Sequence, residues 1–289
     1  YYTKLLICNG KIVFCPQYLE PKYNCKEISK MINEFDYEKL NKEWNEGQPF
    51  RHVVIDNFFD EETALKLSAE FPDYNDPNIW SVYNNPIEKK KLTPHWDLFP
   101  KTTYQVFSMM NTPEFVEKIR KITGISNLVA DYGMHGGGWH MHGKGGKLNM
   151  HKDYSIHPKM GLERRCNIII YMTPDWQPEW GGGLELWSHD EEKNLPKECV
   201  QKVYNKFNRA VLFDTAQNSW HGLPDEITCP EGTYRKSLAI YYLSEPRAGA
   251  EQHDRALFAP HKEQANNEEI LELIKKRSSS KTSAGTYRT

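Results

Sequence analysis

The fold of the chain is decided by residues 165–187, which read RCNIIIYMTPDWQPEWGGGLELW. Two apolar runs in this stretch have the length of buried strands, and a turn rich in proline and glycine separates them. The same texture continues over most of the chain after Gly124 and predicts strands at 127–134, 147–151, 164–173, 183–187, 199–203, 209–214 and 235–243. We therefore predict a mainly β (α+β) fold with flanking helices around a double-stranded β-helix, or jelly-roll, core.

Helical signals precede this β-rich part of the chain. Thr112 and Pro113 are residue types preferred at the N-cap and the first helical position, and Gly124 is a typical terminator, so a helix is predicted between them. Asp60 is a candidate N-cap for a second helix that extends to about Phe71. A strand is expected just before it, at 52–55.

The composition divides the chain into three parts. Residues 1–48 form an N-terminal extension to which the sequence assigns no role, and residues 41–48 within it indicate a polar connector. Residues 49–262 form the domain that contains the jelly-roll core. Residues 263–289 form a C-terminal helix and a tail that we expect to be disordered from Ser278, because it is rich in serine and threonine.

Charge and hydropathy exclude several classes of protein. The 289 residues include 37 Lys+Arg and 39 Asp+Glu, so the basic excess of nucleic-acid-binding proteins is lacking. No apolar run approaches the ~20 residues of a membrane span, and no membrane partner is expected. The six cysteines form no Cys-x-x-Cys pair, which favours reduced thiols. We expect a soluble cytoplasmic protein. Because the chain opens at Tyr1 without methionine, we expect that its true N-terminus is missing.

Three polar residues lie in segments that otherwise indicate buried strands. His151 and Asp153 are two positions apart, so a strand directs both side chains to one face. His221 follows the apolar run 210–213, and a neighbouring strand of a jelly roll could bring it to the same place. Two histidines and one carboxylate leave three open positions, an arrangement that suits a non-haem Fe(II) ion that also binds a cosubstrate and O2.

A candidate carboxylate receptor follows on the strand predicted at 235–243. Arg235 and Ser237 share one face by the same alternation. A guanidinium offers two donors to a carboxylate and the hydroxyl offers a third, so the pair could anchor a dicarboxylate whose 2-oxo acid end chelates the iron. The alternative is an ordinary strand arginine, which the proximity of His221 in the sequence disfavours.

Residues 165–176 and 180–187, together with the leading strand at 49–59, resemble the Fe(II)/2-oxoglutarate-dependent dioxygenases, in particular their prolyl-4-hydroxylase-like branch. The resemblance covers roughly residues 50–246. It implies that the iron ligands are His151, Asp153 and His221. It also implies four residues that bind 2-oxoglutarate. Arg235 anchors the distal carboxylate, and Tyr171 also reaches that carboxylate. Asn167 lies on the same face as Tyr171, and Ser237 matches an Arg-x-Ser pattern of some family members.

The chain also departs from the family pattern. The tyrosine usual on the strand before His-x-Asp is missing, and either His140 or His142 takes its place. The glycine run from Gly136 to Gly146 is predicted to be a mobile lid over the pocket. Since Asp153 is a carboxylate, the resemblance implies hydroxylation and not halogenation.

The implied activity is hydroxylation of an unactivated C–H bond with Fe(II), 2-oxoglutarate and O2, and with ascorbate as an optional reductant. The expected acceptor is a prolyl residue of a peptide or protein, or a small molecule. One alternative is a non-catalytic jelly-roll module that binds a sugar or peptide. A second is a cupin-type isomerase, which would use more histidines and no buried arginine. The sequence carries no signal for an oligomeric state.

Overall fold

A computed structural model describes residues 30–215, 218–253 and 255–286, together with the backbone of residues 4–8 and 11–15. The strands are β1 (Lys4–Cys8), β2 (Lys11–Cys15), β3 (His52–Ile55), β4 (Ser81–Asn85), β5 (Glu88–Thr93), β6 (Val129–Ala130), β7 (Gly138–His142), β8 (Lys147–Lys152), β9 (Glu163–Tyr171), β10 (Leu184–Asp190), β11 (Leu195–Val203), β12 (Ala210–Asp214), β13 (Trp220–Leu223), β14 (Arg235–Ser244) and β15 (Leu257–Phe258). The α-helices are α1 (Tyr37–Glu46), α2 (Glu61–Ala69), α3 (Lys101–Met110), α4 (Pro113–Thr123) and α5 (Glu268–Arg277).

The strands from β3 onward pair antiparallel in one sheet that rolls up into a nearly closed, barrel-like jelly roll. The strand order is β11-β10-β13-β8-β5-β7-β14-β9-β12-β3, with β15 beside β8, β4 beside β5 and β6 beside β14. The predicted jelly roll is confirmed. In the described part of the chain, no helix is long and apolar enough to cross a bilayer.

The alternation along β14 separates the core from a cavity inside the roll. Even-numbered residues 238, 240 and 242 pack in the apolar core with helices α3 and α4. Odd-numbered residues 235–241 line the cavity. Because side chains alternate between the two faces of a strand, the polar residues Arg235 and Ser237 both lie on the cavity face of β14.

Helix α4 has the ends that the sequence predicts. The Thr112 hydroxyl accepts the N–H of Phe115 at 3.2 Å, and Gly124 terminates the helix at a φ of 72°. Helix α2 likewise follows Asp60, whose carboxylate accepts the N–H of Thr63 at 3.0 Å. Both signals are local, so the sequence alone could specify them.

The predicted connector at 41–48 is wrong, since most of it belongs to α1. Leu40 and Trp44 are one helical turn apart and both are buried, while Lys42 between them is exposed. The Asn41 side chain donates to the backbone oxygen of Ile122 at 2.9 Å and ties α1 to the end of α4. Only two of the ten residues of α1 are buried and apolar, so the polar composition of this segment hides its helical pattern in the sequence.

The predicted mobile lid at Gly136–Gly146 is also wrong, because Gly138–His142 forms strand β7 between β5 and β14. Gly138 has a φ of 90°, and a Cβ atom on it would lie 2.1 Å from the Thr93 carbonyl oxygen. A Cβ on Gly137 would lie 2.7 Å from the Ala239 oxygen. These glycines permit close approach of backbones and do not confer mobility.

The chain after Ser278 differs from the predicted disordered tail. Residues 283–286 form a 3-10 helix in which Ser283 and Thr286 are buried, and Asn85 Nδ2 donates to the Thr286 oxygen at 2.9 Å. Tertiary contacts order this segment, and its composition does not encode them. Of the cysteines, Cys166, Cys199 and Cys229 are free thiols, and the other three lie where no side chain is described.

Candidate active site

Strands β8 and β13 bring the three candidate metal ligands together. His151 and His221 are direct partners across this pair of strands, and Asp153 follows β8 on the same side as His151. The Asp153 carboxylate oxygens lie 3.7 Å from His151 Nε2 and 3.8 Å from His221 Nε2. One ligand atom from each residue lies within 4.8 Å of the others, so the three side chains could hold a single ion.

Backbone carbonyls orient both imidazole rings. His151 Nδ1 lies 3.0 Å from the Asn149 oxygen, and His221 Nδ1 lies 2.8 Å from the Ser219 oxygen. A carbonyl only accepts, so each Nδ1 carries the proton and donates it, and each Nε2 presents its lone pair to the site. The Phe258 ring stacks on His151 at a centroid distance of 5.2 Å and shields it from solvent.

The protonation states of the three side chains also suit a metal. Burial lowers the pKa of His151 well below its usual value and lowers that of His221, so both are neutral at pH 7. Burial alone would raise the pKa of Asp153. The positive charge of the Arg164 guanidinium, 3.6 Å away, is the largest influence that outweighs this effect and lowers the pKa to about 2. Two neutral imidazoles and one carboxylate are a donor set for a divalent first-row metal.

Arg235 lines the same cavity as these three residues. Its side chain is buried, its Nε donates to the Gly182 oxygen at 2.7 Å, and a terminal nitrogen lies 3.3 Å from Ser237 Oγ. Gly182 has a φ of 73°, and a Cβ on it would lie 3.1 Å from Arg235 Cδ. No ion-pair partner for Arg235 occurs among the described residues. A buried unpaired guanidinium calls for an anionic ligand such as a carboxylate.

Two further side chains near Arg235 have polar atoms without a described partner. Tyr171 lies opposite Ser237, with its ring 4.9 Å from the guanidinium, and its buried hydroxyl makes no well-aligned hydrogen bond among the described residues. His142 lies opposite Arg235 on β7, and neither of its ring nitrogens has a hydrogen-bond partner there. Orphaned buried donors and acceptors around a cation indicate a site for a polar anion.

The structure distinguishes the two histidines that the sequence leaves as alternatives. Both His140 and His142 line the cavity. His140 Nε2 lies 3.1 Å from the Gly136 oxygen and is therefore satisfied within the chain. His142 is the one placed beside Arg235 with unpartnered nitrogens, so it is the stronger candidate for the missing tyrosine.

Asn167 occupies a different position from the other candidates for the cosubstrate site. It pairs with Tyr241, six positions along β14 from Arg235, and its Nδ2 lies 3.4 Å from Asp153 Oδ2. The structure thus joins Asn167 to the candidate metal centre, whereas Ser237 and Tyr171 lie beside Arg235.

Sequence reasoning missed Arg164, a buried cation next to the candidate metal ligands. Its guanidinium lies between the rings of Tyr154 and Tyr241, 3.4 and 3.3 Å from their centroids, and donates to the His135 oxygen at 2.7 Å. The sequence did contain a sign of this role. Arg164 stands at the start of the apolar run of β9, and a charged residue in a buried strand usually has a charged or polar partner. In this position, the Arg164 guanidinium lies 3.6 Å from the Asp153 carboxylate.

Residues 137–243 match the family model described as the 2OG-Fe(II) oxygenase superfamily, a span that contains His151, Asp153, His221 and Arg235. We refer to this matching part of the chain as the oxygenase domain. The superfamily requires Fe(II), 2-oxoglutarate and O2, and the donors around the cavity fit both the metal and the dicarboxylate. The oxygenase domain includes strands β7 to β14, which contribute part of the cavity lining.

Two curated relatives match parts of this chain. Prolyl 3-hydroxylase OGFOD1 of Mus musculus is 26% identical over 201 residues, which cover 67% of this chain and 33% of that protein. The same-named protein of Xenopus laevis is 26% identical over 106 residues, 35% of this chain and 20% of that protein. The chain therefore spans a third or less of the length of these relatives.

A solved structure supports the fold of the oxygenase domain. A Pseudomonas putida prolyl-4-hydroxylase matches with a TM-score of 0.50 and 14% sequence identity. The match covers 72% of this chain and 100% of that chain. At this identity the likeness concerns the jelly roll and not the substrate.

Proposed function

We propose that the oxygenase domain is a 2-oxoglutarate- and Fe(II)-dependent hydroxylase that acts on a prolyl residue of a peptide or on a small molecule. One observation carries the proposal. A buried His151, Asp153 and His221 cluster and a buried Arg235 without an ionic partner face the same cavity of about 290 Å³. The two groups suit the two ends of a 2-oxo dicarboxylate.

Iron and 2-oxoglutarate supply the chemistry, the decarboxylation of 2-oxoglutarate to succinate and CO2 coupled to insertion of one oxygen atom of O2 into a C–H bond. The chain supplies binding, orientation and shielding. The neutral Nε2 atoms and the Asp153 carboxylate would hold the metal. Arg235 would hold the distal carboxylate with help from Tyr171 and His142. A prolyl acceptor is supported by the names of the two curated relatives.

A non-catalytic binding module is the second candidate, and the donor set disfavours it. A sugar or a neutral peptide has no anionic group that would neutralise the buried guanidinium of Arg235. Binding such a ligand also does not require two imidazoles whose lone pairs face the Asp153 carboxylate. We further propose a cytoplasmic location, which the free thiols of Cys166, Cys199 and Cys229 support.

The test is succinate formation from 2-oxoglutarate, followed by NMR with and without Fe(II) and O2. We expect succinate with wild-type protein and none above background with His151→Ala or His221→Ala. His52→Ala is the matched control, since His52 is a buried strand histidine outside the cavity. Mass spectrometry of added prolyl peptides and small molecules should show a gain of one oxygen. Equal succinate from wild type and the His151→Ala variant would reject the proposal.

A further inference from the structure

The cavity carries more basic than acidic side chains. Among the described residues, its lining includes one acidic side chain, Asp153, and five basic ones, Lys90, Arg164, Arg235, Arg255 and Arg277. Two of the five have assigned partners, because Arg164 lies 3.6 Å from Asp153 and 2-oxoglutarate would bind to Arg235. The other three come from β5, the segment before β15, and α5. None of these elements belongs to the span that matches the superfamily.

Glu88 neutralises only part of this charge. It is fully buried, and its two carboxylate oxygens lie 2.7 Å from Arg277 Nε and 3.4 Å from Lys90 Nζ. Among the described residues, the Glu88 carboxylate therefore contacts both cations. Arg255 forms no ion pair with any described residue, and its Nε is buried without a hydrogen-bond partner. Counted over the described lining residues and Glu88, the basic side chains exceed the carboxylates by three charges, and binding of Fe(II) and the 2-oxoglutarate dianion, which cancel each other, leaves this excess unchanged.

This excess charge lies next to the candidate metal centre. The Phe258 ring stacks on His151, and the Arg277 guanidinium lies 5.5 Å from the same ring, so one aromatic side chain separates the cation from a candidate ligand. Lys90 Nζ and the Arg277 guanidinium lie 5.2 and 5.7 Å from the ring of Tyr83. An acceptor whose C–H bond is close to the metal would present its neighbouring groups to these side chains.

We infer that the acceptor carries an anionic group, a carboxylate in the simplest case, close to the carbon that is hydroxylated, and that Lys90, Arg255 and Arg277 bind it. The inference rests on the proposed function and narrows its substrate class. Desolvating positive charges without a counter-ion is costly, and an anion from the acceptor removes that cost and gains charge-assisted hydrogen bonds. An acidic residue beside a prolyl residue and the carboxylate of a free amino acid offer the same chemistry.

Matched neutral and acidic probes test the inference by binding alone. The protein is loaded with Mn(II) and 2-oxoglutarate without O2 and titrated calorimetrically with acetyl-Asp-Pro-Asp-amide, acetyl-Asn-Pro-Asn-amide, N-acetyl-L-proline and N-acetyl-L-prolinamide. We expect at least one acidic probe to bind about tenfold or more tightly than its neutral counterpart, as a charge-assisted hydrogen bond would give. The peptide pair and the amino-acid pair separate the two sources of the carboxylate.

Single substitutions assign the preference to the basic side chains. Lys90→Met and Arg255→Gln should each reduce the preference for the acidic probe several-fold and leave the affinity for the neutral probe unchanged. Lys90→Met keeps the Glu88 and Arg277 pair intact, so the variant buries no uncompensated charge. Lys89→Met is the matched control, because Lys89 is an exposed neighbour that does not line the cavity, and the preference should persist.

Two outcomes would overturn the inference. One is equal affinity for acidic and neutral probes, or no measurable binding of either acidic probe. The other is hydroxylation of the neutral probes as efficiently as the acidic ones, which would leave the proposed function standing. Selective binding of an acidic probe that is lost in the Lys90→Met variant, with no succinate formed by wild type, would instead reject the oxygenase activity and retain the preference for anions.

Discussion

Replacing Arg235 by lysine keeps a positive charge in the cavity but removes the planar set of donors. In the wild type, Nε is held by the Gly182 oxygen at 2.7 Å, and this bond fixes the orientation of the two terminal nitrogens. A lysine ammonium cannot donate to Gly182 and also present two parallel donors to a carboxylate. We therefore expect weaker binding of 2-oxoglutarate and unchanged binding of the metal.

The magnitude follows from the bonds that are lost. At least one charge-assisted hydrogen bond to the carboxylate disappears, which costs about 1.5–3 kcal/mol, or roughly 10- to 150-fold in Kd. Burial strengthens the effect, because Arg235 is only 2% exposed and water cannot replace the missing donor. Arg235→Ala should weaken binding further, since it removes the charge as well.

The assay is calorimetric titration of 2-oxoglutarate into Mn(II)-loaded protein without O2. Arg209→Lys is the control, because the Arg209 guanidinium is bound to Asp56 at 2.6 Å, outside the cavity, and the Kd of that variant should equal that of the wild type. Thermal unfolding of each variant checks that the fold is intact. An Arg235→Lys protein that binds 2-oxoglutarate as tightly as the wild type would refute the assignment of the carboxylate anchor.

Three further predictions concern the metal, the backbone and pH. His151→Ala should lose stoichiometric Mn(II) in metal analysis while unfolding remains cooperative, and full metal content would exclude this ligand. Gly138→Ala should destabilise the fold by about 1–3 kcal/mol in urea, because its Cβ would overlap the Thr93 oxygen, and an unchanged midpoint would contradict this. Arg209 holds the pKa of Asp56 at about 2, below its usual 3.8, so Asp56 stabilises the fold above its unfolded pKa. The stability advantage of wild type over Asp56→Asn should therefore decline as the pH falls from about 4 to about 2, and a constant difference would disprove it.

The β core and the residues of the candidate metal centre could be predicted because they rest on short-range patterns. The alternation in β8 and β14 assigns His151 with Asp153, and Arg235 with Ser237, to common faces. Their meeting with His221 depends on the pairing of β13 with β8, which local periodicity does not encode. The expected jelly roll allowed His221 to be placed on a neighbouring strand, and the resemblance implied the full ligand set. The register of β13 with β8 brings the three residues together.

The basic side of the cavity could not be predicted in the same way. Strand β5 reads EKKKLT, a composition that disfavours strands, and only its pairing with β4, β7 and β8 makes it one. Lys90 therefore gave no sign of lying inside a cavity. Arg277 stands in the last turn of a polar helix, where a basic residue normally complements the helix dipole in solvent.

The ion pair between Glu88 and Arg277 joins positions 189 residues apart, and this separation matters during synthesis. At 5–20 residues per second, a ribosome needs roughly 10 to 40 s to extend the chain from one partner to the other. Until α5 has been made, the described residue that can pair with Glu88 is its neighbour Lys90, at the longer distance of 3.4 Å, so β5 is held less firmly in its final place during that time. The side of the nascent jelly roll that contains β5 should therefore stay less stable than the rest of the sheet, and more open to a chaperone, until α5 has left the ribosome.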